Sequence, residues 1–137
     1  PAILHTAGNP DGHVILRGGR GAPNCDPAGV ARALEMLSDA GLAERLVIDA
    51  SHDNSAKVPE KQMLATAEIG EQVAAGNRAI VGVMLESFLV EGRQDLGDGD
   101  SLVYGQSITD PCIDWDHTVT ALEGLAAAVR ARRVLCA

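Results

Sequence analysis

Leu46-Val47-Ile48-Asp49, the polar cluster Ser51-His52-Asp53-Asn54-Ser55, a helical stretch from about Glu60 to Ala75, and Ala79-Ile80-Val81-Gly82-Val83-Met84-Leu85 follow one another in the middle of the chain. The first run is short, apolar and β-branched and stops at polar residues, as a strand does. Met63, Ala67, Gly70 and Val73 share one face of the helical stretch, and Gly76-Asn77 ends it. The last run is apolar nearly throughout, the pattern of a strand buried on both faces. Strand, helix and strand in this order form a βαβ unit, in which the crossover is right-handed and the strands are parallel.

The same unit extends in both directions. Upstream, His13-Val14-Ile15-Leu16-Arg17 predicts a strand halted at Gly18-Gly19. Asp26-Pro27 then offers an N-cap with proline at the first helical position, where its missing N–H costs nothing. Val30, Ala33, Leu34 and Leu37 recur at helical spacing before Gly41 stops the helix. Downstream, a long polar loop is expected from Ser87 to about Asp114. A last helix follows, marked by Val119, Leu122, Leu125, Ala126 and Val129. It ends in Arg130, Arg132 and Arg133, which suit the negative end of its dipole. The fold class is therefore α/β with a parallel sheet. Two architectures compete at this point, an open doubly wound sheet and part of a (β/α) barrel.

Composition narrows the function. At 137 residues the chain suits one domain, and 46% hydrophobic content is enough for a core. No apolar run approaches the roughly 18 residues that span a bilayer, so a membrane role is not expected. Nineteen acidic residues against 11 Lys and Arg leave a formal charge of −8, with one Trp, one Tyr and one Phe. That balance argues against a nucleic-acid surface built on phosphate neutralisation and base stacking. Cys25, Cys112 and Cys136 are too few and scattered for a disulfide scaffold, and an odd count suits a reducing cytoplasm.

Functional groups on parallel sheets gather beyond the carboxyl ends of the strands. Those places hold Arg17 after the first strand, Asp49 and His52 after the second, and Glu86 after the third, with Asp110 in the following loop. His52, Glu86 and Asp110 make an N/O ligand set for a divalent metal such as Mn, Fe, Co or Zn. Each taken alone reads more readily as a solvated loop residue; the three together, on successive strand ends, favour the ligand reading. Glu86 is the strongest single case, because a carboxylate directly after Val-Met-Leu is costly to bury unless paired or metal-bound. Arg17-Gly18-Gly19-Arg20-Gly21 is open to two readings, a phosphate cradle or a plain glycine turn with surface arginines; the stretch alone favours the turn. Asp95, Asp98 and Asp100 lack the spacing of an EF-hand and read as a solvated turn. His5, His13 and His117 default to surface or capping roles.

These motifs together resemble the C-terminal part of class I 3-deoxy-D-arabino-heptulosonate 7-phosphate (DAHP) synthase. The resemblance is carried by His13-Val14-Ile15-Leu16-Arg17-Gly18-Gly19, Asp49-Ala50-Ser51-His52-Asp53-Asn54-Ser55-Ala56-Lys57 and Gly82-Val83-Met84-Leu85-Glu86-Ser87. It continues through Leu89-Val90-Glu91-Gly92, Tyr104-Gly105-Gln106-Ser107-Ile108-Thr109-Asp110 with Cys112 and Trp115, and Ala126-Ala127-Ala128-Val129-Arg130-Ala131-Arg132-Arg133. It implies a (β/α)8 TIM barrel, of which residues 1–137 supply the last three strand–helix units, with the N-terminal part of the barrel outside this chain. It implies the condensation of phosphoenolpyruvate with erythrose 4-phosphate, the first step of the shikimate pathway, in a homo-oligomeric full-length enzyme. By the motif match, His52, Glu86 and Asp110 resemble three of the family's four metal ligands. Arg17 resembles an arginine that grips the phosphoenolpyruvate phosphate.

Departures from the family pattern are specific. The fourth ligand, a Cys in a Gly-Pro-Cys-Ser turn, has no counterpart here, and Cys25 and Cys112 stand in the wrong contexts to replace it. The Lys-Pro-Arg-Thr segment that holds both substrates is also missing. Phe88 replaces a usual His, Asp53 a usual Ala and Ala50 a usual Phe. The expectation is an enzyme segment inactive by itself. The alternatives are a non-catalytic barrel remnant acting as an assembly or regulatory module, and another phosphoenolpyruvate-condensing aldolase of similar barrel design.

Overall fold

The computed structural model describes residues 2–9, 11–97, 99 and 101–135. Cys136 and the turn residues Asp98 and Asp100 lie outside the described residues. Strands β1 (Val14–Leu16), β2 (Leu46–Asp49) and β3 (Ile80–Met84) form one parallel sheet in the order β1-β2-β3. Helices α1 (Pro27–Asp39), α2 (Pro59–Ala74) and α3 (Trp115–Leu135) follow the three strands in turn. Successive parallel strands that always step the same way keep their right-handed crossovers on one face of the sheet. That is the arrangement of a barrel wall. The reversal of order that marks a doubly wound sheet is absent among the described residues.

The helix ends follow local chemistry. Asp26 accepts a hydrogen bond from the Gly29 N–H at 2.9 Å, and Pro27 occupies the first turn. Past the end of α1, Gly41 takes φ +65° and the Leu42 N–H reaches back to the Leu37 carbonyl at 2.9 Å. This left-handed closure explains why glycine stands there. Gly76 ends α2 in the same way, with Asn77 donating to the Gln72 carbonyl at 3.1 Å. Arg132 in the last turn of α3 donates to the Asn77 carbonyl at 2.9 Å and pins α3 to that end of α2.

One core lies between sheet and helices, built from Leu16, Leu46, Ile48 and Ile80 on the strands and Val30, Leu37, Ile69 and Val73 on the helices. The other face of the sheet is not covered: Ile15 and Val81 are exposed and Val47 is half-buried. The expectation that Ala79–Leu85 is buried on both faces is corrected accordingly. Val81 is the extra residue of a bulge, since Leu46 pairs with Ile80 while Val47 pairs with Gly82.

Three further expectations are adjusted. The buried face of α2 is Gln62, Ala65, Thr66, Ile69 and Val73. Met63, Ala67 and Gly70 instead line the groove beside α3. On α3 the buried residues are Thr118, Ala121 and Ala128, whereas Val119 and Leu122 are exposed. On both helices polar side chains with partners of their own take core positions, Gln62 and Thr66 on α2 and Thr118 on α3. The segment Ser87–Asp114 is not a plain loop. It carries β4 (Val90–Arg93) paired in parallel with β5 (Gln106–Ser107). The Gln94 side chain stands in for a missing strand, donating to the carbonyls of Val103 (2.8 Å) and Gln106 (3.0 Å) and accepting from the Val103 N–H (2.8 Å).

Candidate metal centre

Parallel pairing of β1, β2 and β3 brings their carboxyl ends to one edge of the sheet. Beyond β2, the chain turns through a short 3-10 segment, His52–Asn54. His52 takes φ +48°, an uncommon conformation for a residue with a side chain, and one that local structure must hold in place. Asp49, fully buried, does much of that holding. Its Oδ1 accepts from the Ser51 N–H at 2.8 Å and from the Ser51 hydroxyl, and its Oδ2 lies 2.6 Å from His52 Nδ1. A carboxylate on Nδ1 fixes the imidazole tautomer and leaves Nε2 as a free lone pair facing outward.

His52 Nε2 faces two acids. Asp110 Oδ2 is 3.7 Å away and Glu86 Oε1 is 4.0 Å away. The three ligand atoms lie within 4.8 Å of one another. Both separations are too long for hydrogen bonds, yet two donors on one cation at about 2.1 Å each stand roughly 3–4 Å apart. Ser51, His52, Ser55, Lys57, Gln62, Glu86, Asp110 and Pro111 enclose a cavity of ≈ 10 Å³, the room of a single water or ion. The side chains grade outward, His52 at 17% exposure, Glu86 at 33% and Asp110 at 46%, so the cluster opens on the Asp110 side.

The backbone ties this cluster together. The Ile113 N–H donates to the Glu86 carbonyl at 2.9 Å and the Phe88 N–H to the Ile113 carbonyl at 3.0 Å, which brings the Asp110 segment against the exit of β3. Gln62, from α2, donates to the Glu86 carbonyl at 3.2 Å and accepts from the Glu86 N–H at 3.0 Å. Nothing in the hydrophobic pattern of α2 marks Gln62. The only sequence signal is a glutamine one turn into an amphipathic helix, on the side that must face the core.

Arg17 stands at the same sheet edge, one residue past the Leu16–Ile48 pair, and is exposed. It makes no ion pair among the described residues. The glycine stretch after it is a closed turn: Gly19 and Ala22 exchange backbone hydrogen bonds at 3.0 and 3.1 Å, and the Gly18 N–H donates to Asn24 Oδ1 at 2.7 Å. With both N–H groups engaged, a backbone phosphate cradle at Gly18-Gly19 is not formed, and the arginine side chains carry whatever anion binding occurs there. Asn54 locks the turn to β2. It donates to the carbonyls of Leu16 (3.1 Å) and Asp49 (2.7 Å) and accepts from the Asn24 N–H (2.7 Å).

Neither described cysteine joins the ligand set. Burial pushes the Cys112 thiol up, and it leans on the Asp110 carbonyl at 3.5 Å. Burial also pushes up Cys25, with Glu68 adding to the effect. A second group, Glu91, Asp114 and His117, brings its ligand atoms within 4.8 Å. Helix capping accounts for its inner contact, because Asp114 Oδ1 accepts from both the N–H and Nδ1 of His117 at 2.8 Å at the start of α3.

Similarity to known proteins covers nearly the whole chain. Residues 2–123 match the family described as the DAHP synthetase I family. The Phe-sensitive phospho-2-dehydro-3-deoxyheptonate aldolase of Escherichia coli is 52% identical over 132 residues, spanning 96% of this chain and 37% of the relative. The phospho-2-dehydro-3-deoxyheptonate aldolase of Corynebacterium glutamicum is 49% identical, again over 96% of this chain and 37% of its own length. A solved structure of the Francisella tularensis enzyme of that name superposes with TM-score 0.89 at 46% identity, covering 96% of this chain and 38% of the other. The chain thus spans well under half the length of each relative.

Proposed function

Since the chain belongs to the DAHP synthetase I family, we propose that it supplies the metal-binding portion of a synthase that condenses phosphoenolpyruvate with erythrose 4-phosphate. The observation that carries this reading is the convergence of His52 Nε2, Glu86 and Asp110 on one small cavity, with His52 Nδ1 already committed to Asp49. The donor set fits a divalent cation. It offers one imidazole and two carboxylates and no thiolate, which suits Mn, Fe, Co or Zn.

His52, Glu86 and Asp110 would hold the cation. When bound, it would act as a Lewis acid that polarises the aldehyde of erythrose 4-phosphate. The chain's own residues do the rest of what this portion contributes. Asp49 orients His52 and fixes the ring tautomer that leaves Nε2 free to bind. Arg17, at the same edge of the sheet and without an ion pair among the described residues, offers a planar fork for the phosphate of phosphoenolpyruvate. Arg17 at the exit of β1 would hold that phosphate on the same sheet edge as the cation ligands at the exits of β2 and β3, and proximity of this kind lowers a barrier. The remaining phosphate contacts and a fourth ligand fall to the longer N-terminal portion that the relatives possess.

A chimera tests the proposal. This chain replaces the matching C-terminal portion of the Escherichia coli relative, and phosphoenolpyruvate consumption is followed with and without added Mn²⁺. Metal-dependent turnover that falls at least about 100-fold in His52→Ala is expected. A folded chimera that binds Mn²⁺ but consumes no phosphoenolpyruvate would overturn the assignment.

A further inference from the structure

Gln62 is 1% exposed, one turn into α2, and its side chain makes two hydrogen bonds to a single residue. Its carbonyl oxygen takes the Glu86 N–H and its amide nitrogen gives a hydrogen to the Glu86 carbonyl. Glu86 lies just past β3, where the ladder to β2 has ended with the Ala50 N–H on the Met84 carbonyl at 2.9 Å. Without Gln62, the part-buried Glu86 N–H would lose its side-chain partner, which is unfavourable for such a donor.

Burying a glutamine is itself unfavourable, since the amide loses water and a long side chain loses its rotamers. An apolar residue would staple α2 to the sheet more cheaply. What an apolar residue cannot do is restrain rotation on both sides of one α-carbon. The N–H bond limits φ of Glu86, the C=O bond, shared with the Ile113 N–H, limits ψ, and together they aim its side chain. Resting on the reading of His52, Glu86 and Asp110 as a cation site, we infer that Gln62 is a positioning residue that fixes the Glu86 carboxylate and thereby sets the site's cation affinity. His52 is steered through its ring by Asp49, and Glu86 is steered through its backbone by Gln62. Asp110, the most exposed of the three, is left as the ligand that adjusts.

Co²⁺ alone is the probe, titrated into the chimera with the N-terminal portion of the Escherichia coli relative, with binding followed by calorimetry and by the visible absorption of the bound ion. Gln62→Met keeps length and bulk but removes both hydrogen bonds; it is expected to weaken Co²⁺ binding about 10-fold or more and to shift the absorption bands. Gln62→Asn, one methylene too short to reach, is expected to behave alike and is read in its place should Gln62→Met lose helix content by circular dichroism. Thr66→Val lies one turn further along the same buried face, where the Thr66 hydroxyl donates to the Gln62 backbone carbonyl rather than to Glu86; it is expected to leave affinity within about 2-fold. In a Glu86→Ala background, Gln62→Met is expected to have almost no further effect, because its route to the ion is gone. Equal affinity of wild type and Gln62→Met overturns this inference while leaving the cation site standing. The same fold-loss with and without Glu86, or an equal loss in Thr66→Val, overturns it too by showing a general loosening. Failure of the wild-type chimera to bind Co²⁺ at all removes the cation site and this inference together.

Discussion

Asp49 carries no ligand atom in the cluster, yet the cluster's geometry depends on it. Fully buried, it is held by the Ser51 N–H and hydroxyl and by His52 Nδ1. Asp49→Asn keeps the size but offers an amide, which rewards the opposite ring tautomer and turns the Nε2 lone pair into an N–H. Cation affinity is expected to fall about 10- to 100-fold with His52 still in place, and calorimetric titration with Mn²⁺ checks it. A second residue-scale effect sits at the start of α3. The His117 N–H on Asp114 is the chief reason that this carboxyl lies below its ordinary value of 3.8, with the His117 ring adding to it and desolvation opposing. A depressed folded value means that the stabilisation is complete above the unfolded value and fades as pH falls through the folded one. Wild type is therefore expected to melt above Asp114→Ala at about pH 5, by a margin that shrinks as pH falls below 3.8. Thermal melts of both proteins across that range read the margin directly.

Elements were legible in the sequence where periodicity and punctuation agreed. β2, the Asp26-Pro27 start of α1 and the glycine closures at Gly41 and Gly76 all stand where those residues place them. The strand-end positions of Arg17, Asp49, His52 and Glu86 followed from parallel topology alone. What stayed hidden is held by side-chain amides. β4 and β5 carry no alternating apolar pattern, and Gln94 completes their hydrogen bonding across a turn that no periodicity rule reads. The buried faces of α2 and α3 include Gln62, Thr66 and Thr118, which a hydrophobic template assigns to solvent. Asn54 is the strongest example. One buried amide joins the exits of β1 and β2 and the Asn24 turn. Asn54→Ala would leave the Leu16 and Asp49 carbonyls and the Asn24 N–H short of partners. A loss of about 3 kcal/mol or more is expected, read as the shift in a urea unfolding curve at unchanged slope. Because the same amide anchors the chain on either side of Arg17, phosphate binding at that arginine should weaken alongside.

Three strands with an open edge on each side make a wall, and a wall of a barrel has an inner face meant for other side chains. β1 and β3 each present one unpaired edge among the described strands. On the uncovered face Ile15 and Val81 are exposed, and further along the chain Phe88, Leu89, Val103 and Tyr104 are exposed as well, Tyr104 at 89%. Unpaired edges and contiguous apolar surface recruit other chains. Closing an eight-stranded barrel needs strands that this sheet does not have. The chain by itself is therefore expected to associate with itself in a concentration-dependent way, to bind a hydrophobic dye, and to form no DAHP from phosphoenolpyruvate and erythrose 4-phosphate. Adding the separately prepared N-terminal portion of the Escherichia coli relative should reverse all three together, because one set of surfaces underlies them. Sedimentation, dye fluorescence and a DAHP assay on the same samples follow the reversal. A lone chain that stays monomeric at high concentration, excludes the dye and still forms DAHP would mean that this wall closes on itself without the missing strands.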